Sequence, residues 1–217
     1  MLVTCWSAKG GTGCSVIAAS LALTWSRAGH DVLLVDLGGD LPAVLGLPEP
    51  PGAGLTDWLR AGPDVPADGL ARLEVEAGPR LALVSRGGAD LDDGGRLAVL
   101  AGLLASASRP VVVDAGVVAD DSALVPLVAE ARHALLVTRP CFLALKRLST
   151  SSVRPNGVVL VSEPGRALGR ADVEEVAGAP VVAEVAADPA VARAVDAGLL
   201  SSRLPRLLER SLRPVVR

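Results

Sequence analysis

Aromatic residues are scarce in this 217-residue sequence, which has no tyrosine, a single phenylalanine and an aromatic content of 2%. Proteins that bind single-stranded nucleic acid stack its bases on aromatic side chains, so this mode of binding is not expected. The formal net charge of −3 also argues against a chain that binds nucleic acid through its overall charge.

Cysteines and long apolar runs are also few. The three cysteines, Cys5, Cys14 and Cys141, are an odd number without metal-ligand spacing, which argues against a disulfide framework and a zinc site. No apolar run reaches the roughly 18 residues of a transmembrane helix, and residues 1–6 lack the pattern of a signal peptide. We therefore expect a reduced, cytoplasmic protein.

The apolar residues that are present, 50% of the chain, occur in short runs that alternate with helical patterns. Most runs are uninterrupted, which is typical of strands buried on both faces of a parallel sheet. The predicted strands cover residues 2–6, 32–35, 81–84, 111–113, 134–137, 158–161 and 181–185. The predicted helices cover residues 15–27, 55–59, 96–104, 122–131, 142–148, 172–176 and 190–197. We predict an α/β fold with a doubly wound, mainly parallel, seven-stranded sheet and helices on both faces, in one domain over residues 1–217.

The first predicted strand is followed by a glycine-rich loop with the sequence SAKGGTGCS, residues 7–15. At such a place, backbone N–H groups and a helix N-terminus converge on an anion. Gly10, Gly11 and Gly13 let the backbone wrap around a phosphate, and the Ser15 hydroxyl can coordinate Mg²⁺. A tight turn without a ligand is the alternative, but the position between strand and helix favours a nucleotide site.

This loop resembles the deviant Walker A motif of the ParA/MinD-type ATPases, KGGxGK(S/T), at every position but one. The resemblance implies a fold of the P-loop NTPase type that binds ATP or ADP with Mg²⁺. The implied nucleotide-binding residues are Lys9, Gly10, Gly11, Thr12, Gly13, Cys14 and Ser15. Lys9 matches the signature lysine, which in the family is catalytic and reaches the phosphates of the partner in a homodimer.

Cys14 is the departure, because the family has its phosphate-binding lysine at this position. A thiol carries no fixed positive charge, so we expect weak nucleotide binding and slow or absent hydrolysis. A redox-reactive thiol with a lowered pKa at the helix N-terminus is a second interpretation of Cys14.

Two aspartates at the ends of predicted strands extend the resemblance. Asp36 matches the first Asp of the family's catalytic D-x-D pair, while Gly38 replaces the second, which helps to position the attacking water. Asp114 matches a Walker B aspartate, which implies a Mg²⁺ site shared with Ser15. The alternative for Asp36 is that it caps a loop or helix.

The resemblance is fainter further along the chain. Ser162 or Glu163 stands where the family usually has the Asn that reads adenine, so the match does not imply recognition of the base. Residues 187–189 resemble the loop beside the base.

The C-terminal segment is amphipathic, and Pro205 and Pro214 limit it to about two helical turns. Its apolar face comprises Leu204, Leu207, Leu208 and Leu212, and its basic face comprises Arg203, Arg206, Arg210 and Arg213, with Arg217 at the end. The simplest interpretation is a terminal helix that packs its leucines on the domain. Contact with a membrane surface and contact with DNA are the alternatives.

Within the family, the chain looks most like the atypical positioning proteins of the TadZ/CpaE type, which often have altered P-loops and place a pilus-secretion machine at the cell pole. The resemblance implies a role in positioning such a machine, the septum or the chromosome. This implies a homodimer that binds a protein of a positioning or secretion machine and is recruited to the pole or the inner membrane surface. An active DNA-partition ATPase and a nucleotide-free scaffold are the alternatives.

Overall fold

A single sheet of eight strands runs through the computed structural model, which describes residues 1–62, 67–91 and 95–216. The strands are β1 (Leu2–Ser7), β2 (Val32–Asp36), β3 (Val75–Gly78), β4 (Leu81–Val84), β5 (Val111–Val117), β6 (His133–Thr138), β7 (Gly157–Ser162) and β8 (Val181–Ala186). Their order across the sheet is β3-β4-β2-β5-β1-β6-β7-β8. β3 runs antiparallel to β4, and all other neighbours are parallel.

All seven predicted strands are present, but the predicted count of seven is wrong because β3 is an eighth. β3 has the sequence Val-Glu-Ala-Gly and forms an edge hairpin with β4. Its single β-branched residue gives little strand signal, and only Ala77 in it is buried. The predicted fold class is confirmed, with β1 in the interior of the sheet between β5 and β6.

Nine α-helices cover the sheet within the described residues. They are α1 (Cys14–Arg27), α2 (Leu41–Leu45), α3 (Leu55–Arg60), α4 (Leu97–Ala105), α5 (Val125–Ala129), α6 (Phe142–Thr150), α7 (Arg170–Ala177), α8 (Pro189–Asp196) and α9 (Arg206–Leu212). Side chains of α3 to α7 pack in one apolar cluster, and those of α1, α2, α8 and α9 pack in a second. Leu2 and Trp6 of β1 belong to the first cluster, whereas Val3 and Cys5 belong to the second, so the two clusters lie on opposite faces of the sheet.

The end of the chain forms α9, which is two turns long as the prolines predict, followed by a short 3₁₀ turn. Leu204, Leu208 and Leu212 are buried in the apolar cluster that contains α1 and part of β8, and Leu207 is half-buried. The four arginines of the predicted basic face are exposed, and Arg217 lies outside the described residues. The packed-helix interpretation therefore accounts for the leucines.

The helices of the described residues include none that is both long enough and apolar enough to cross a lipid bilayer.

We predict that Leu208→Ala lowers the free energy of unfolding by about 2–5 kcal/mol, because it removes a buried side chain from between α9 and α1. Leu207→Ala is the matched control, and it should cost about 1 kcal/mol or less because Leu207 is only half-buried. Urea unfolding of both variants measures the difference. Equal, small losses would contradict the packing of this helix on the domain.

Candidate functional site

The glycine-rich loop connects the central strand β1 to α1, the longest helix of the described chain. Gly11 and Gly13 have φ angles of 78° and 91°, in the left-handed region that favours glycine. A Cβ atom at either position would meet no atom within 4 Å, so backbone conformation and not crowding requires these glycines. Gly13 caps α1 without a side-chain hydrogen bond, and this leaves the helix N-terminus without the internal partner that a Ser or Asp cap would provide.

A cavity of about 890 Å³ lies over this loop at the carboxyl edge of the sheet. The segment from Gly10 to Val16 forms one wall, and the residues that follow β2 and the end of β5 form others. Ligand sites in doubly wound folds occupy this edge, and the volume is within the usual range for small-molecule sites. The predicted nucleotide-binding residues from Gly10 to Ser15 thus lie together around one cavity.

Cys14 lies in this cavity as a buried side chain with 7% exposure. Burial raises the pKa of its thiol well above the ordinary value, and the neighbouring charge of Asp114 raises it further. The second interpretation of Cys14, a redox-reactive thiol with a lowered pKa, is therefore wrong. The side chain is a neutral thiol at the position where the resemblance implied a lysine.

Asp114 is a fully buried carboxylate in β5, beside the glycine-rich loop. Its Oδ1 atom accepts a hydrogen bond of 3.0 Å from the Gly116 N–H, whereas Oδ2 has no hydrogen-bond partner in the described part of the chain. Burial raises its pKa, and the Ser15 side chain, the Gly116 N–H and the Cys14 side chain, all close to the carboxylate, partly oppose this effect. A buried carboxylate oxygen without a partner is an atom that a bound cation would satisfy, so these residues fit the Mg²⁺ site that the resemblance implied.

Asp36 uses both carboxylate oxygens within its own loop. Oδ1 accepts the Gly39 N–H at 2.6 Å and Oδ2 accepts the Leu41 N–H at 3.1 Å, which fixes the connection from β2 to α2. Burial raises the pKa of Asp36 to about 6. The cavity is lined by Asp40 and not by Asp36, so the local geometry is that of the loop cap that the sequence left as an alternative. The catalytic role implied by the family stays a prediction.

Gly38 packs directly against Asp114. A Cβ atom at position 38 would lie 2.8 Å from Asp114 Oδ2, closer than side chains normally approach. The Leu37 and Gly38 N–H groups also donate to the Asp114 backbone carbonyl, at 2.9 and 3.1 Å. The glycine at this position, where the resemblance implied an Asp, therefore allows a loop that closes tightly onto β5.

Lys9 does not line the cavity. Its Nζ atom donates to the carbonyl of the neighbouring residue Gly10 at 3.1 Å, in a solvent-exposed hydrogen bond. Lys9 therefore contributes no positive charge to the lining of the cavity in its own chain.

A second cavity of about 540 Å³ adjoins the first and shares Thr12, Gly13 and Val16 with it. Its far wall includes Glu163 after β7 and Asp188 after β8. Glu163 forms ion pairs with Arg139 and Arg166, and these cations lower its pKa. Of Ser162 and Glu163, which stand where the resemblance implied an Asn, Glu163 is thus the one on the cavity wall.

Two lining arginines were missed by the sequence reasoning. Arg86 lines the first cavity and Arg139 the second, and each stands one or two residues after a parallel strand. That position was the available signal, because the carboxyl ends of all parallel strands meet at the edge that carries the site.

Residues 3–201 match the family described as the CobQ/CobB/MinD/ParA nucleotide binding domain. No curated protein matches the sequence. Among solved structures, a ParA family ATPase from Chlorobium tepidum is 20% identical with a TM-score of 0.79, over 99% of this chain and 96% of that one. The cell division ATPase MinD of Pyrococcus furiosus is 21% identical with a TM-score of 0.77, over 99% and 97%.

MinD of Pyrococcus horikoshii, solved as a complex with Mg-ADP, is 18% identical with a TM-score of 0.74, over 99% of this chain and 93% of that one. At these identities the similarity to solved structures concerns the fold.

We predict that Gly38→Ala lowers the free energy of unfolding by about 1–3 kcal/mol, because its methyl group would collide with the Asp114 carboxylate. Gly88→Ala is the control, since a Cβ atom at Gly88 would meet no atom within 4 Å and its φ is not left-handed. This control should change stability by about 0.5 kcal/mol or less. Urea unfolding measures both. Equal midpoints for the two variants would show that the loop does not close onto β5 as described.

Proposed function

We propose, because this chain belongs to the CobQ/CobB/MinD/ParA nucleotide-binding domain family, that it is a nucleotide-binding positioning or partition protein with weak or absent ATP hydrolysis. The family also includes CobQ and CobB, and the KGG sequence with Lys9 supports the MinD and ParA side of it. The proposed unit is one domain over residues 1–217, acting in the cytoplasm.

The observation that carries the proposal is the unpartnered Asp114 Oδ2 beside a glycine loop and a helix N-terminus without a side-chain cap. The phosphates of ATP or ADP would lie on the loop, where N–H groups and the helix dipole favour an anion. Ser15 and Asp114 would hold Mg²⁺, which when bound neutralises phosphate charge. Thr12 and Gly13 would lie between the phosphates and the second cavity, which could receive the base.

Weak hydrolysis follows from two features of the same site. Cys14 is neutral and buried, so it cannot stabilise the charge that develops on the phosphates in the transition state. At position 38, the Asp114 carboxylate occupies the space that a second catalytic Asp would need. The proposed part of Asp36 is to hold this loop in place.

A homodimer that faces its partner across the loop is the proposed assembly. Lys9 lies outside its own cavity, which leaves it available to the phosphates of a second chain. Exposed apolar residues lie nearby: Val117, 50% exposed, stands beside Gly10, and Phe142 is 74% exposed. Phe142 follows Cys141, whose pKa is lowered mainly by the Ala144 N–H and to a smaller extent by the Lys9 charge. Apolar residues exposed around a functional loop are typical of an interaction face.

The proposed partner beyond the dimer is a protein of a positioning or secretion machine, of the kind that the TadZ/CpaE resemblance implies. Recruitment to the pole or the inner membrane surface would follow from that partner. Contact of the exposed α9 arginines with DNA or membrane is a secondary part of this proposal, because the leucines of the same helix are used in packing.

We expect the wild type to bind Mg-ATP weakly in calorimetry, and Cys14→Lys to bind it about 10- to 100-fold more tightly because the variant restores a charge-assisted phosphate contact. Cys14→Ala is the matched control, and it should bind like the wild type since it removes the thiol without adding charge. A phosphate-release assay on the same samples should give slow or no turnover for the wild type.

Two results would contradict the proposal, and each would support a different alternative function. Binding gained only in Cys14→Lys, with none in the wild type, would make the chain a nucleotide-free scaffold. Rapid turnover that depends on Lys9, together with salt-sensitive DNA binding, would make it an active partition ATPase.

A further inference from the structure

The lining of the first cavity carries more acidic than basic side chains. Among the described residues that line it, the charged ones are Asp40, Asp196 and Arg86. The buried carboxylate of Asp114 lies immediately beneath, against Gly38. A phosphate in this cavity would therefore face more negative than positive protein charge, and Arg86 is the one lining cation of the described chain that could bind it directly.

The backbone of Arg86 is held firmly at the end of β4. Its carbonyl accepts hydrogen bonds from both the N–H and the hydroxyl of Thr56, each 2.9 Å long. The next residue, Gly87, packs very closely on Gly54. A Cβ atom added to Gly54 would lie 2.4 Å from the Cα atom of Gly87. Arg86 thus extends into the cavity from a fixed point just after β4, three strands away from the strand β1 that precedes the glycine-rich loop.

The guanidinium of Arg86 has no hydrogen bond or ion pair within the described part of the chain. It lies over Gly39, where a Cβ would be 3.4 Å from both Cδ and Nη1 of the arginine. Gly39 donates its N–H to Asp36, so the loop that Asp36 holds also supports the arginine. A half-buried guanidinium without a partner, on the wall of an anion cradle, has its donors free for a ligand.

We infer that Arg86 supplies, within one chain, the positive charge to the nucleotide phosphates that Cys14 does not supply. This inference rests on the proposed function, because it takes the cavity as a nucleotide site. The guanidinium presents several N–H donors in a planar fork that matches phosphate oxygens, so one arginine can replace the contact of a P-loop lysine. The compensating cation comes from the segment after β4, and not from the glycine-rich loop that carries Cys14.

The test compares the wild type with Arg86→Gln, using Mg-ATP and magnesium pyrophosphate as calorimetric ligands. Pyrophosphate carries no base, so it reports on the phosphate contacts alone. We expect Arg86→Gln to weaken both ligands by a similar factor of about 10 to 100, with no change in the thermal unfolding midpoint. Arg60→Gln is the matched control, because it removes the same charge from an exposed position outside the cavity and should bind like the wild type.

A double-mutant cycle tests the compensation itself. In the Cys14→Lys background a second cation is present, so Arg86→Gln should cost at most about a few-fold in Mg-ATP affinity. An equal loss in both backgrounds would overturn the inference, as would unchanged binding in Arg86→Gln or a loss for Mg-ATP without a loss for pyrophosphate. If the wild type binds neither ligand, the proposed function fails with the inference, whereas binding that Arg86→Gln leaves unchanged overturns the inference alone.

Discussion

The contact between Gly38 and the Asp114 carboxylate determines how the rest of the site is built. Because position 38 has no side chain, the connection from β2 to α2 lies directly on the end of β5, where two backbone N–H groups donate to the Asp114 carbonyl. The Asp114 carboxylate is left fully buried, with one oxygen unpartnered among the described residues. A buried charge of this kind is costly unless a cation or a proton balances it, which ties the stability of the loop to the ligand chemistry of the cavity.

Charge is distributed unusually around this contact. A neutral, buried thiol, Cys14, stands where the resemblance implied a lysine, and Lys9 lies outside the cavity. Among the described residues that line the first cavity, the unpaired cation is Arg86. Under the proposed function, phosphate binding therefore depends on Mg²⁺ at Asp114 and on an arginine from the segment after β4. Such an arrangement favours holding a nucleotide over cleaving it, because charge on the transferring phosphate gains no cation from the P-loop itself.

The sequence predicted most of the fold because uninterrupted β-branched runs mark strands that are buried on both faces, such as residues 111–113. It missed β3 because an edge strand with one buried residue lacks that signal, and it missed α2 because five residues are too few for a period. For the site, local motif reading found the loop and Asp114. It did not find Arg86, although the position of this residue just after a parallel strand was a signal. It could not find the crowding at Gly38, because that depends on which strand ends are neighbours in the sheet.

The dependence of ATP binding on magnesium tests the central claim most directly. With Asp40, Asp196 and the buried Asp114 around the cavity, ATP without a metal would bring further negative charge to an acidic site. Equilibrium binding of a fluorescent ATP analogue should be measurable with excess Mg²⁺ and lost in excess EDTA. Equal affinity under both conditions would contradict the account, because the Asp114 carboxylate would then have no part in holding the ligand.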